Sequence, residues 1–239
     1  MKKGFTLAEV LITLGIIGVV AAMTMPTLIQ NHQKRSLEVA TQKFYSMMSQ
    51  AVRQYMADEG VDDLRNTPLA SGNYEDATSP EAIASIKNFV TKYLKVVKEC
   101  DHDANNCFAP KYKVWNGDEP EYNFTDNANW NEPRDYVLAD GSVIRIGYGS
   151  VSGQQPIVLY VDVNGKKGPN RVGYDLWSMD IFYDGVIDES GAGPELRRGE
   201  WSWSTPQEFR QGRFEHQCKG RAYGGCFGHF LENNFKFDY

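Results

Sequence analysis

From Phe5 to Ile29 the chain carries one charge, Glu9, in an otherwise apolar stretch. Between Val10 and Met25 only Thr13 and Thr24 interrupt the apolar residues. A helix that spans a bilayer needs about 20 mostly apolar residues. This stretch meets that need, and no second run in the sequence does. The segment therefore crosses a membrane once, or it is removed. Lys2 and Lys3 precede it. Cationic flanks stay on the cytoplasmic side, so the long C-terminal part is expected to be exported. That part is long enough for one anchored domain. The cysteines agree with export. They fall in two close pairs, Cys100 with Cys107 and Cys218 with Cys226. An even cysteine count in an exported chain reads as disulfides, although four cysteines allow three pairings.

Glu9 is the anomaly. A secretory signal peptide would explain the basic start and the apolar centre, with a cut after Ala22 in "VVAAM". An acid at the mouth of the apolar run argues against that reading, because ionisable groups in such segments are costly and mark functional sites. A cut between Gly4 and Phe5 would resolve it. The new amine would lie about one helical turn from Glu9, and an acid in the first turn complements the helix dipole. Two such helices packed with an axial offset would pair the amine of one with Glu9 of the other. An unpaired charge in apolar surroundings is costly, so the pairing would select one stagger.

The stretch "KKGFTLAEVLITLGIIGVVAAMTMPTLI" closely resembles the N-terminus of type IV prepilins and type II secretion pseudopilins. The matched features are the short basic leader, Gly4, Phe5, Glu9, the nearly unbroken apolar stretch and Pro26. The resemblance covers about the first thirty residues firmly. It implies cleavage after Gly4 by a prepilin peptidase, N-methylation of Phe5, and contact between Glu9 and the amine of a neighbouring subunit. It also implies an inner-membrane assembly platform as partner, a single-pass inner-membrane stage with a periplasmic head, and then a filament. The division expected is a leader over 1–4, a membrane and assembly helix over 5–29, an amphipathic continuation over 30–60, and an exported head over 61–239. Pro26 removes a helical donor and is expected to kink the helix. Gly18 and Ala22 form a small-xxx-small pair that permits close helix approach.

Beyond the polar turn "QNHQKRS", apolar residues from Leu37 to Tyr55 recur at spacings of three and four, with Gly60 as a stop. This predicts an amphipathic helix to Glu59. A second helix is predicted from Ser79, with Pro80 at its first position and an apolar stripe continuing through Val97 as far as Cys100. From Lys111 onward short strands and turns follow. "YVLADGSVIRIGY" reads as a hairpin about Asp140-Gly141, "PIVLYVDV" as a buried strand, and "DLWSMDIFYDGVI" as strands about Asp184-Gly185. Strands after helices give an α+β class, a long helix on an antiparallel sheet, which agrees with the pilin-like fold that the resemblance implies.

Asp162, Asn164 and Asp175 raise the question of calcium, which takes about six to eight oxygens. The loop lacks the full EF-hand spacing, and Asn164-Gly165 is an ordinary hairpin turn. The aromatic, locally basic C-terminal stretch offers Trp201, Trp203, Phe209, Phe214, Phe227 and Phe230, with Arg210, Arg213, Lys219 and Arg221. Core packing is the expected role of the aromatics, and a solvated face that of the basic residues. A nucleic-acid partner is not expected for a chain of net charge -6. The four histidines are His32, His102, His216 and His229, and the cysteine spacings are wider than zinc sites use. No nucleophile elbow, phosphate loop or HExxH occurs, so enzymatic activity is not expected. The expected function is structural, a minor filament subunit. The alternative is a pilin-anchored adhesin or ligand-binding head.

Overall fold

The computed structural model describes residues 6–70, 79–100, 107–119, 134–149, 157–202 and 204–239. The chain divides into two compact units, Met1–Ser36 and Leu37–Tyr239. Helix α1 (Leu7–Glu59) is continuous through Pro26 and runs across that boundary. It ends in a Schellman motif. Val61 N–H donates to Met56 O at 3.0 Å, Gly60 N–H donates to Ala57 O at 3.2 Å, and Gly60 takes φ +68°.

Within the second unit, the rest of the chain forms an α+β, pilin-like arrangement. Helix α2 (Pro80–Tyr93) is followed by β1 (Val96–Cys100), β2 (Arg134–Leu138), β3 (Val143–Tyr148), β4 (Ile157–Asp162), β5 (Leu176–Ile181) and β6 (Ile187–Asp188). These strands make one antiparallel meander in the order β1-β2-β3-β4-β5-β6. Three short helices close the chain: α3 (Pro194–Arg197), α4 (Pro206–Arg213), which runs into a π-helical turn, and α5 (Phe227–Glu232).

The start of α2 agrees with its sequence signals, since Ser79 Oγ accepts from Ala82 N–H at 3.2 Å. Its end does not. The helix stops at Tyr93, and Val96–Cys100 is strand, not helix. Val96 and Val97 are β-branched and favour the pleated conformation. Val96, Lys98, Glu99 and Cys100 pair with β2, with a register shift at Val97. Val97 faces solvent, so the apolar stripe that reached it was a coincidence of spacing. The turns at Asp140-Gly141, Asn164-Gly165 and Asp184-Gly185 all form, each with its glycine at positive φ.

Register assigns the faces of the sheet, because directly opposite residues share a side. Tyr136, Ile144, Val161 and Trp177 fall in one row across β2–β5. They belong to the same apolar core as Phe44, Met48 and Val52 of α1 and Phe89 and Val90 of α2. Asp135, Arg145, Tyr160 and Ser178 form the row on the other side. Antiparallel sheets commonly leave such a polar face in water. Here every residue of β3, β4 and β5 is buried, so both faces are covered. Two segments supply the second cover. Phe108 lies under the Arg145 guanidinium at 5.3 Å, and Tyr112 donates to Asp162 at 2.5 Å. Gly224 sits against Ser178. A disulfide tethers each cover, Cys100–Cys107 beside the first and Cys218–Cys226 within the second.

Candidate functional site

Gly4, Phe5 and the leader lie outside the described residues. Description begins at Thr6, and its first feature is a capping box. Glu9 Oε2 accepts from Thr6 N–H and from Thr6 Oγ1, each at 2.8 Å, while Thr6 Oγ1 accepts from Glu9 N–H at 3.3 Å. This arrangement ties up donors that a helix N-terminus otherwise leaves orphaned. The signal was present in the sequence as Thr6-x-x-Glu9, and it assigns Glu9 a local role in capping the helix.

From Leu7 to Ile29 the large apolar side chains are exposed. Leu11 is 61% exposed, Ile17 63% and Met23 74%. The helix is long and apolar enough to cross a membrane. Two of its threonines, Thr13 and Thr24, need no partner outside it. Thr13 Oγ1 donates to Glu9 O and Val10 O, and Thr24 Oγ1 donates to Val20 O, all at 2.9 Å. A hydroxyl bonded within its own helix avoids most of the cost of an apolar medium. At Gly15 and Gly18 nothing lies within 4 Å of where a Cβ would stand. An apolar surface exposed all round a helix requires lipid or other helices as its medium.

The prokaryotic N-terminal methylation motif matches residues 1–25, which include Glu9 and most of the apolar run. A second model, a family of unknown function (DUF6613), matches residues 27–182. The chain belongs to the DUF6613 family. The family match reaches from Thr27 to Phe182, past the end of β5, and residues 183–239 lie beyond it. No curated protein and no solved structure matches the chain. The methylation motif together with the apolar helix makes this a pilin-like, membrane-anchored chain.

The structure brings Asp162, Asn164 and Asp175 into one loop region within this DUF6613 head. Asp162 accepts from Tyr112 Oη at 2.5 Å and from Asn164 N–H at 3.1 Å. Asp175 accepts from Asn170 N–H at 2.7 Å and Arg171 N–H at 2.6 Å. Burial, and then the charge of Asp175, push Asp162 up to about 8. Burial pushes Asp175 up to about 6, against the backbone donors at Arg171 and Asn170. The carboxylates are thus occupied by protein donors, as a hydrogen-bonded turn requires. In contrast, Asn164 Oδ1 and Asn170 Oδ1 are buried without a hydrogen-bond partner, and these are oxygens a calcium ion could use. No group of three or more His, Cys, Asp or Glu is gathered for a metal among the described residues.

In the C-terminal stretch, Phe214, Phe227 and Phe230 are core residues. Trp201 and Phe209 meet edge-on at 6.0 Å and are half-buried, and Trp203 lies outside the described residues. The basic residues are not a free face. Arg210 pairs with Asp188 at 2.5 Å, Arg213 lies 3.8 Å from Glu189, Lys219 pairs with Glu215 at 2.8 Å, and Arg221 pairs with Asp118 at 3.0 Å. The cysteines are all in disulfides and offer no thiolate to zinc. His102 lies outside the described residues.

Proposed function

We propose that the chain is a minor structural subunit of a type IV pilus or type II secretion pseudopilus. Prepilin peptidase cuts after Gly4, Phe5 is N-methylated, and residues 5–29 hold the subunit in the inner membrane. The helix continues to Glu59 and stops at Gly60, and residues 61–239 form the exported head. An assembly platform then moves the subunit into a filament, where neighbouring helices replace lipid around the apolar segment. The observation that carries this reading is the methylation motif joined to a helix whose apolar residues are exposed from Leu7 to Ile29. Glu9 sits at the end where a neighbour's amine would arrive. Pro26 leaves one carbonyl without its helical donor and is the place where α1 yields during assembly. The role is structural and not enzymatic, and the partners are other subunits, not nucleic acid.

Intact mass and N-terminal sequencing of protein from a membrane fraction test it. The expected product begins at Phe5 and carries one added methyl group. A product beginning at Met23 would make the chain an ordinary secreted protein, and an intact Met1 would leave a plain anchor.

A displayed binding head is the second reading, and the aromatic, basic C-terminal stretch with its half-buried Trp201–Phe209 pair is the feature that would support it. For the loop about Asp162 and Asp175 we favour the hydrogen-bonded turn. Thermal unfolding of the detergent-solubilised chain is expected to be the same in EGTA and in millimolar calcium. A rise of several degrees in calcium, lost in Asp162→Asn, would assign the orphan amide oxygens to a calcium site.

A further inference from the structure

Residues 183–239, which lie beyond the family match, are held to the sheet by aromatic packing, Phe230 on Trp177 among it, and by a network of buried charges. Asp188 on β6 receives Arg210 of α4 in two hydrogen bonds, at 3.0 and 2.5 Å. Arg197 of α3 stands 3.6 Å from Asp188 and binds Asp184 at 2.6 Å. Arg210 also pairs with Glu232 of α5. Glu189, fully buried, accepts from Gly225 N–H at 3.1 Å and Gly228 N–H at 2.8 Å, with Arg213 at 3.8 Å. From α1, Tyr45 contributes a neutral phenol near Asp188.

Asp180 stands apart from this network. It lies opposite Asp188 in the β5–β6 pairing, so the two carboxylates share a face. It is fully buried, and neither of its oxygens has a hydrogen-bond partner. Glu189 is the acid and Arg213 the cation whose charges act on it. Among the described residues, the ion pairs of this network set Asp184, Asp188, Glu189 and Glu232 against Arg197, Arg210 and Arg213, and Asp180 adds a fifth acid. Ser190 and the Gly191 backbone are the donors nearest in effect, but neither makes a close hydrogen bond to it. A fully buried carboxylate with such weak donors and a surplus of like charge holds a proton far more easily than a charge.

We propose that Asp180 is the proton-sensitive element of a latch, in which the protonated carboxyl keeps the C-terminal module closed on β5 and β6 and its ionisation loosens the module. Burial, reinforced by Glu189, pushes Asp180 up to about 7, with Ser190, Gly191 and Arg213 opposing. The folded chain therefore keeps a proton that the unfolded chain releases near the ordinary aspartate value of about 4. Between those values the folded state binds more protons, so closure weakens as pH rises and strengthens as pH falls. Above about 7 the folded state has also released the proton, and the dependence ends. The head of an exported subunit meets external pH directly, so the latch would tighten in acid surroundings.

Amide hydrogen exchange of the full chain in detergent tests this, with protection factors compared at about pH 5 and about pH 8 after correction for intrinsic rates. Amides of α4, the π-helical turn and α5 should lose about tenfold or more in protection at the higher pH. Asp180→Asn cannot ionise and should flatten that difference. The proposal is overturned if the wild type shows no difference in this module, or if Asp180→Asn retains it in full. Should Asp180→Asn fail to fold, Glu189→Gln decides the matter. Removing the neighbouring charge should move the midpoint to lower pH, and an unmoved midpoint overturns the proposal.

Discussion

Glu9→Gln and Glu9→Ala should both be cut after Gly4 and remain in the membrane, yet fall by more than about tenfold in sheared filament fractions. The estimate rests on the cost of an uncompensated charge in apolar surroundings, about 3–5 kcal/mol when one partner of a buried pair is removed. The two substitutions separate the capping that the structure shows from the proposed pairing between subunits. Glutamine retains an acceptor for Thr6 N–H and Thr6 Oγ1, so it preserves the capping box but carries no charge. Alanine removes both, and the lost cap alone costs about 1 kcal/mol. Equal failure of the two assigns Glu9 to pairing between subunits. Normal assembly of Glu9→Gln would instead make capping its whole role and remove the charge from the mechanism. Thr6→Ala completes the set. It weakens the cap while keeping the charge, and it should be incorporated if pairing is what matters.

Arg145→Ala should destabilise the head by about 3–5 kcal/mol. Arg145 grips Asp135 with two parallel bonds, Nε to Oδ1 at 2.8 Å and Nη2 to Oδ2 at 2.9 Å. The two side chains are 7% and 2% exposed. Alanine would leave the Asp135 carboxylate buried without its partner and would also vacate the contact with the Phe108 ring. Denaturant unfolding of the full chain in detergent, followed through the buried Trp177, measures the effect. The double variant Arg145→Met with Asp135→Leu should recover most of the loss, since well-packed apolar side chains often replace a buried ion pair at no net cost. A single variant that costs no more than an exposed substitution would mean that the cover over this face is loose.

This pair also shows where sequence reasoning stops. Alternation along "RDYVL" and "VIRIGY" places Asp135 and Arg145 on a polar face, and alternation alone assigns such a face to water. The covers come from segments about Phe108 and Gly224, distant in sequence, and nothing in the strands announces them. The same holds for Asp180, which reads as a solvent-facing residue and is fully buried. The C-terminal arginines read as a solvated face, but Arg210 and Arg213 are drawn to Asp188 and Glu189, distant in sequence. The end of α2 was missed for a different reason. Its apolar spacing continues past Tyr93 by chance, and only pairing with β2 decides that Val96–Cys100 is extended.

What the amino-acid order determined by itself was local. The N-terminal motif is contained within residues 1–25, and its chemistry follows from an acid, an apolar run and a cut site that need no tertiary contact to be recognised. The Asp140-Gly141 and Asp184-Gly185 turns, the Gly60 stop and the Ser79 cap are likewise decided within a few residues, because backbone conformation there depends on side chains within one turn. The tertiary structure alone decided the second cover of the sheet and the buried charges beneath it, along with the β1 segment. Burial is a property of what packs above a residue, and here those partners arrive from opposite ends of the head.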